Sequence, residues 1–425
     1  MDQPAYSPVA MPQITVPTGW TLAGLAAGIG LGIVLSGTRA LAVMLAVAGP
    51  LGSLWLKALQ MTIVPLVAGL LVIGVVQAIH AASAGRMARG ALGHFVVILS
   101  LSAVMGALVM PLLLHVFPIP TGASAALRSA APVGGAASVP GIAEFVGSLV
   151  PANVIAAAST STMLPVIVFF TLFAIALTRL PPPQEQQMTG LFATLTGAML
   201  VIVGWVLKLA PLGVFALGLG VAAQSGASAI GVLAHYILMV SSVGGLVLIA
   251  AYLLATLESR QPLLRFARAM VPAQAVAIST QSSIASLPAM LAACRSLDLR
   301  ESSGEFVLPL AVAMFRATGP AMNVAVAVYV ARLSGVTLSP GALMAGVAVA
   351  AIITYGTVSL PNAITFVSTV GPVALAMGVP LGPLALLVAV EMLPDIMRTV
   401  GNVTMDVAVT AAVDRRQRAA PRQSE

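Results

Sequence analysis

Between Trp20 and Val413 the chain is a succession of apolar runs, most of them long enough to cross a lipid bilayer, separated by short polar breaks. A helix needs roughly 20 apolar residues to span about 30 Å of hydrocarbon. With 59% hydrophobic and only 7% charged residues, a water-facing globule of 425 residues would have too little polar surface to cover itself. The pattern therefore reads as an all-α integral membrane protein. The opening MDQPAYSPVAMPQITVPTG has neither the basic start nor the cleavage site of a secretory leader, so removal of an N-terminal segment is not expected. The net charge of +7 comes from Lys and Arg residues scattered between apolar runs, without the aromatic and basic platform that nucleic acid requires. Membrane topology accounts for it better.

Two interruptions inside apolar runs resemble each other: SSIASLP at Ser282–Pro288 and YGTVSLP at Tyr355–Pro361. Ser, Gly and Pro break helices at a cost, and neither half of the runs they interrupt, about 264–294 and about 341–377, could cross a bilayer as a helix. Each run is expected to enter and leave on one side, as a re-entrant helical hairpin. The remaining runs give eight transmembrane helices, at about 18–36, 41–78, 90–115, 143–179, 190–222, 230–257, 304–333 and 381–413. With a cytoplasmic N-terminus this count puts Arg86, Arg89, Arg179, Arg260, Arg265, Arg268, Arg295, Arg300 and the Arg415–Arg422 cluster inside. Only Arg39, Arg128 and Arg332 fall outside, as the positive-inside rule demands. The Ala/Gly/Ser/Pro-rich stretch 118–141 becomes a long external loop. In the first helix Gly24, Gly28 and Gly32 recur every four residues. No strand precedes them, so they read as a close-packing helix face and not a phosphate loop.

Few groups in this chain can do polar chemistry. Cys294 is the single cysteine, which excludes an intrachain disulfide and argues against a Cys-based metal site. His80, His94, His115 and His235 lack metal-ligand spacing and read as loop or packing residues, with proton relay as the lesser alternative. The last apolar run is different. At about 100° per residue, Glu391, Asp395, Arg398, Asn402 and Asp406 project within an arc of roughly 80° on one helix face. A charge at membrane depth costs at least about 2.5 kcal/mol, so Arg398 should face protein or a wet cavity. Its planar fork suits a substrate carboxylate, although a structural ion pair with Asp395 would also satisfy it. Asp395 could accept an ammonium, Asn402 a second carboxylate, and Asp406 a hard cation or a proton. Broken helices at membrane depth are tolerated where their free backbone groups line a binding site, so the two hairpin tips read as gates around this stripe. Ser282, Ser283 and Ser286 on one tip, and Thr357 and Ser359 on the other, add hydroxyl partners.

LKALQMTIVPLV in the second helix, KLAPLGVFAL in the fifth, STQSSIASLP and GTVSLP in the hairpins and DIMRTVGNVTMD in the last helix together resemble the dicarboxylate/amino acid:cation symporter family, which includes the glutamate transporters. The resemblance runs from about Leu54 to Asp414. It implies an inverted-repeat fold of eight transmembrane helices and two re-entrant hairpins, and an elevator-type secondary transporter, not an enzyme. It divides the chain into scaffold helices at 1–85 and 143–225 and transport-unit segments at 86–142, with the external loop, and 226–416, followed by a cytoplasmic tail at 417–425. By the same resemblance Asp395 matches an amino-group ligand, Arg398 a side-chain carboxylate ligand, Asn402 a main-carboxylate ligand and Thr399 a further substrate contact. Asp406 matches a sodium-ligating carboxylate, Ser282 and Ser283 the serine-rich tip, and Thr357, Val358, Ser359 and Leu360 the extracellular gate. A homotrimer in the inner membrane, with both termini cytoplasmic, is implied. So is a small anionic substrate, with a coupling sodium ion as the one cofactor in view. An aspartate and an arginine at the positions of Asp395 and Arg398 favour glutamate or aspartate over C4-dicarboxylates.

The chain also departs from the family pattern. Where sodium-coupled members carry Asn-Met-Asp-Gly-Thr in the seventh helix, this chain reads LPLAVAMFRATGPAMN, with Arg316 and no aspartate. A fixed cation then stands where sodium ligands are expected, to replace an ion or to pair with Glu391 or Asp395. Coupling to fewer sodium ions or to protons follows, with Glu391 and Asp406 as proton carriers. Gln281 replaces an arginine of some relatives, Met405 replaces a small residue beside Asp406, and Pro394 is expected to kink the last helix. An intramembrane hydrolase is a poor rival, because Asp395 and Asp406 lie roughly 16 Å apart along one helix and no motif places a histidine near Ser225. A passive anion channel is the other, distinguished by its inability to support counterflow.

Overall fold

A computed structural model describes residues 17–83, 85–120, 147, 150–160, 162–225, 228–356 and 362–419. Most of the 118–141 loop, and Thr357 and Ser359 at the second tip, lie outside the described residues. Among the described residues every regular element is a helix. Five segments, of 27 to 45 residues, are long and apolar enough to cross a membrane, and shorter apolar helices accompany them. Their outward faces carry large apolar side chains such as Leu101, Leu108, Leu238, Ile249 and Leu253, suited to lipid.

The helices follow the expected runs but break in more places. After α1 (Thr18–Val34), the run expected as one span over 41–78 is two helices, α2 (Arg39–Gln60) and α3 (Ile63–Ser83). Pro65 explains the break, because its ring crowds the carbonyl four residues back, at Met61, and it offers no N–H there. After the long α4 (Arg86–Val116), the run at 143–179 supplies α5 (Val154–Ser159) and α6 (Met163–Leu177). The 190–222 run is divided at Leu209, just before Pro211, into α7 (Pro182–Lys208) and α8 (Ala210–Ser225). α9 (Ser228–Leu257) is long and uninterrupted.

The first hairpin is α10 (Leu263–Thr280) packed against α11 (Ser283–Ser296). Its turn is not at the Ser-Leu-Pro triplet. It lies at Gln281, which adopts the left-handed conformation (φ 51°, ψ 34°), and Ser282, whose side chain caps α11 by accepting the Ala285 N–H at 3.3 Å. Such a cap stabilises a helix start by about 1 kcal/mol. Pro288 sits inside α11. The seventh span is broken into α12 (Glu301–Met314) and α13 (Thr318–Ser334) by extended backbone at Phe315. The second hairpin consists of α14 (Pro340–Ile353), ending in a 3-10 turn at Thr354–Gly356, and α15 (Asn362–Ala376). The last span divides into α16 (Gly382–Leu387) and α17 (Met392–Ala419). Pro394 does not kink α17. It falls in the first turn, where no intrahelical partner awaits its missing N–H.

Two kinds of packing organise these helices. α1 lies along α8 on its glycine face: a Cβ at Gly24 or Gly28 would strike the carbonyls of Pro211 and Phe215, and one at Gly32 the Ala222 methyl. The close-packing reading of these glycines is correct. Trp55 of α2 joins the same group, its ring over Gly213 and its indole N–H donating to the Val206 carbonyl at 2.9 Å. Elsewhere α13 is buried on every side, from Thr318 to Ala331, which makes it a core helix. α4 crosses it with Gly106 against the Ala321 backbone, and Phe95 stacks on Phe315 with ring centroids 4.3 Å apart. α9 packs along α17, and Gly401 of α17 admits Thr318 at the foot of α13.

Candidate substrate site

The breaks before α13 and α17 place polar groups where continuous helices would bury only side-chain carbon. Glu391 lies in the turn leading into α17, and its carbonyl accepts the Asp395 N–H at 2.9 Å, so it stacks one turn below Asp395. Glu391, Asp395, Arg398, Thr399, Asn402 and Asp406 are all buried, with 6% exposure at most. The polar stripe expected from helical spacing therefore exists and points into protein.

Arg398 is its hub. Its Nη2 donates to Glu391 Oε1 at 2.8 Å, its Nη1 to Asn323 Oδ1 at 3.0 Å, and its Nε lies 3.3 Å from Asp395 Oδ1. The second oxygen of Glu391 accepts from the Tyr236 hydroxyl at 2.7 Å. Three helices thus converge on one polar cluster: α13 through Asn323 on the guanidinium, α9 through Tyr236 on Glu391, and α17 itself. One turn on, Asn402 Oδ1 accepts both the backbone N–H and the hydroxyl of Thr318, at 2.9 and 2.8 Å. The Thr318 hydroxyl also lies 2.9 Å from the Arg398 carbonyl, so its single proton can serve either acceptor. These bonds fix the start of α13 against α17 and hold the side-chain oxygen of Asn402.

Asp406 is fully buried, and neither carboxylate oxygen has a hydrogen-bond partner among the described residues. Arg316, in the break between α12 and α13, lies within electrostatic reach of Asp395 and Asp406. No group of three His, Cys, Asp or Glu side chains suited to a metal ion occurs among the described residues. The first tip reaches α17 through α10, where Gln274 donates to Thr404 at 3.0 Å and to the Tyr252 hydroxyl at 2.9 Å. At that tip the Ser282 side chain is engaged in its cap, Ser283 is buried, and the Ser286 hydroxyl donates to the Ser282 carbonyl at 2.9 Å. The arm of the second hairpin ends beside the same break, with Thr354 next to Gly319. Two histidines stay out of the centre, His94 paired with Glu258 at 2.9 Å and His80 with Glu185, whereas His235 lies 3.1 Å from the Tyr329 hydroxyl. Tyr236, Thr318 and Asn323 were not readable as site residues. Each is one polar side chain in an apolar helix, and only the fold shows which neighbour it faces.

An all-helical molecule with lipid-suited outer faces and a charge network at its middle has the construction of a membrane transporter. The chain belongs to the sodium:dicarboxylate symporter family, whose sequence profile matches residues 18–416. Its relatives include a proton/glutamate-aspartate symporter of Escherichia coli (strain K12), 26% identical over 300 residues, which cover 68% of this chain and 67% of the relative. A C4-dicarboxylate transport protein of Solibacter usitatus (strain Ellin6076) is 25% identical over 353 residues, 81% and 79% of the two chains. Another, from Deinococcus radiodurans, is 30% identical over 171 residues, 39% and 38%. The protein is a multi-pass membrane transporter.

Proposed function

We propose that this chain is a cation-coupled symporter that takes up acidic amino acids, glutamate or aspartate, across the inner membrane. The observation that carries this reading is the buried Arg398 guanidinium, held by Asn323 of α13, by Asp395 of α17 and by Glu391, which Tyr236 of α9 supports in turn. A charge this costly to bury, on a helix that also presents Asp395, suits a ligand bearing both a carboxylate and an ammonium. Arg398 binds the side-chain carboxylate, Asp395 the ammonium, and Asn402 and Thr399 the main carboxylate. Ser282 and Ser283 on the first tip, with Thr357 and Ser359 on the second, close over it. The second reading, a C4-dicarboxylate substrate, is favoured by the names of several relatives. Asp395 argues against it, because a dicarboxylate brings no ammonium to offset the negative charge it adds beside that carboxylate.

The unit that moves comprises 86–142 and 226–416, carried past a scaffold formed by 1–85 and 143–225 in an elevator-type cycle. Three copies assemble, with both termini and the 417–425 tail in the cytoplasm. Protons drive uptake in this reading. Arg316 supplies a tethered positive charge near Asp406, where a sodium ion would otherwise be carried, and the oxygen of Asn402 is already committed to Thr318. Uptake of labelled glutamate into proteoliposomes, under separate proton and sodium gradients and with aspartate, succinate and neutral amino acids as competitors, tests this. Proton-driven uptake that aspartate blocks and succinate does not is the expected result. Sodium-driven flux indifferent to pH would refute proton coupling, and stronger competition by succinate would move the substrate to the dicarboxylates.

A further inference from the structure

Arg398 is not waiting with empty hands. Each of its three nitrogens already faces an acceptor, and two of those acceptors, Glu391 and Asp395, are carboxylates. A substrate carboxylate approaching this guanidinium would be the third negative group around one positive charge, in a site with little water to screen it. We propose that Glu391 is a built-in competitor for Arg398, and that an acidic substrate displaces it by proton uptake. Glu391 takes a proton from water on the open side, its ion pair with Arg398 breaks, and the substrate carboxylate forms the replacement pair. The neutral carboxyl stays in place because its second oxygen still accepts from Tyr236. Release on the other side reverses each step, returning the proton to water. This inference rests on Arg398 being the substrate-binding cation.

The charges around the network agree. Counted with every group ionised, Arg316 and Arg398 stand against Glu391, Asp395 and Asp406, a net charge of minus one for the empty site. An acidic amino acid adds one more, and one proton on Glu391 restores the starting value, so the loaded and empty sites carry equal charge. The other titratable groups nearby are Tyr236, Tyr329 with its ring edge-on to Tyr236 at 5.3 Å, and His235 at 3.1 Å from the Tyr329 hydroxyl. Asp395 also faces Arg398, 3.3 Å from its Nε, but Glu391 makes the closer contact, at 2.8 Å, and has its second oxygen held by Tyr236.

Calorimetric titration of L-glutamate into the purified full chain, in paired buffers of different ionisation enthalpy, counts protons taken up on binding. The wild type should take up one proton per glutamate, and its affinity should weaken about tenfold per pH unit on the alkaline side. Glu391→Gln should bind with no proton uptake, lose the pH slope, and bind more tightly than wild type at alkaline pH. Tyr236→Phe, which keeps the carboxylate but removes the hydrogen bond stabilising its charge, should retain the one-proton uptake and extend tight binding to higher pH. Glu391→Gln with wild-type proton uptake, or with weakened affinity at every pH and an intact slope, would overturn the inference. So would abolition of proton uptake by Asp406→Asn alone. Glutamate affinity unchanged in an Arg398→Met, Glu391→Gln double variant would instead overturn the substrate site beneath it.

Discussion

The seam between α1 and α8 and the junction of α9, α13 and α17 are both tightly packed, by opposite means. At the seam, Gly24 and Gly28 of α1 let backbone meet backbone, and Gly218 of α8 makes room for the Leu25 and Ile29 side chains. The seam's atoms would be equally content against lipid, and only close fit holds them. At the junction a guanidinium, two carboxylates, a phenol and two amides hold one another, and none of them could face lipid alone. A seam of the first kind is static and makes no demand on a ligand. A junction of the second kind has several arrangements within reach, because each charged group can exchange one partner for another.

That contrast can be broken experimentally. The largest effect is expected from Arg398→Met, which leaves Glu391 and Asp395 buried without their cation and should cost about 3–5 kcal/mol of stability in detergent. Adding Glu391→Gln should recover a substantial part, since one unpaired charge is gone, and thermal unfolding of the two variants measures the difference. Next is the seam: Gly28→Leu drives a side chain into the Phe215 carbonyl and should destabilise by about 1–3 kcal/mol. Its glutamate affinity should stay at the wild-type value in whatever fraction remains folded. Thr318→Val removes a hydroxyl donor shared by Asn402 and Arg398, while the backbone N–H still serves Asn402. A loss of about 1 kcal/mol is expected.

The smallest effect lies outside the membrane segments, at Glu258 just beyond α9. Burial alone would raise its pKa, but His94 and Arg416, the latter 2.6 Å away, hold it below the ordinary carboxylate range. A depressed carboxylate stabilises the fold above its unfolded pKa of about 4.3 and ceases to do so as pH falls through the folded value. The difference in melting temperature between wild type and Glu258→Gln should therefore be largest near neutrality and shrink in acid. A difference that grew in acid would contradict the assignment.

How far these features could be read from sequence follows the same division. The Gly24/Gly28/Gly32 face and the polar arc of α17 are repeats in a single helix, so spacing alone exposes them. Where helices break is partly legible, because Pro65 and Pro211 mark the divisions of two long spans. The serine-rich first tip is legible at Ser282 and Ser283, but the turn residue beside them, a left-handed Gln281, gives no compositional signal, unlike a glycine. Pro394 was read as a kink because the start of α17 at Met392 could not be seen from an apolar run. The partners of Arg398 on other helices were the least legible. Tyr236 and Asn323 lie far from it in the chain, and each looks like ordinary core decoration until the fold brings them together.

The central claim is that Arg398 is the cation an acidic substrate binds. The most direct check is equilibrium binding of labelled glutamate to purified wild type and to the Arg398→Met, Glu391→Gln double variant, which removes the guanidinium together with the nearer of the two carboxylates it pairs. A fall in affinity of at least about a hundredfold, equivalent to about 2.7 kcal/mol, in a variant that melts within a few degrees of wild type is expected. Wild-type affinity in that variant would contradict the account.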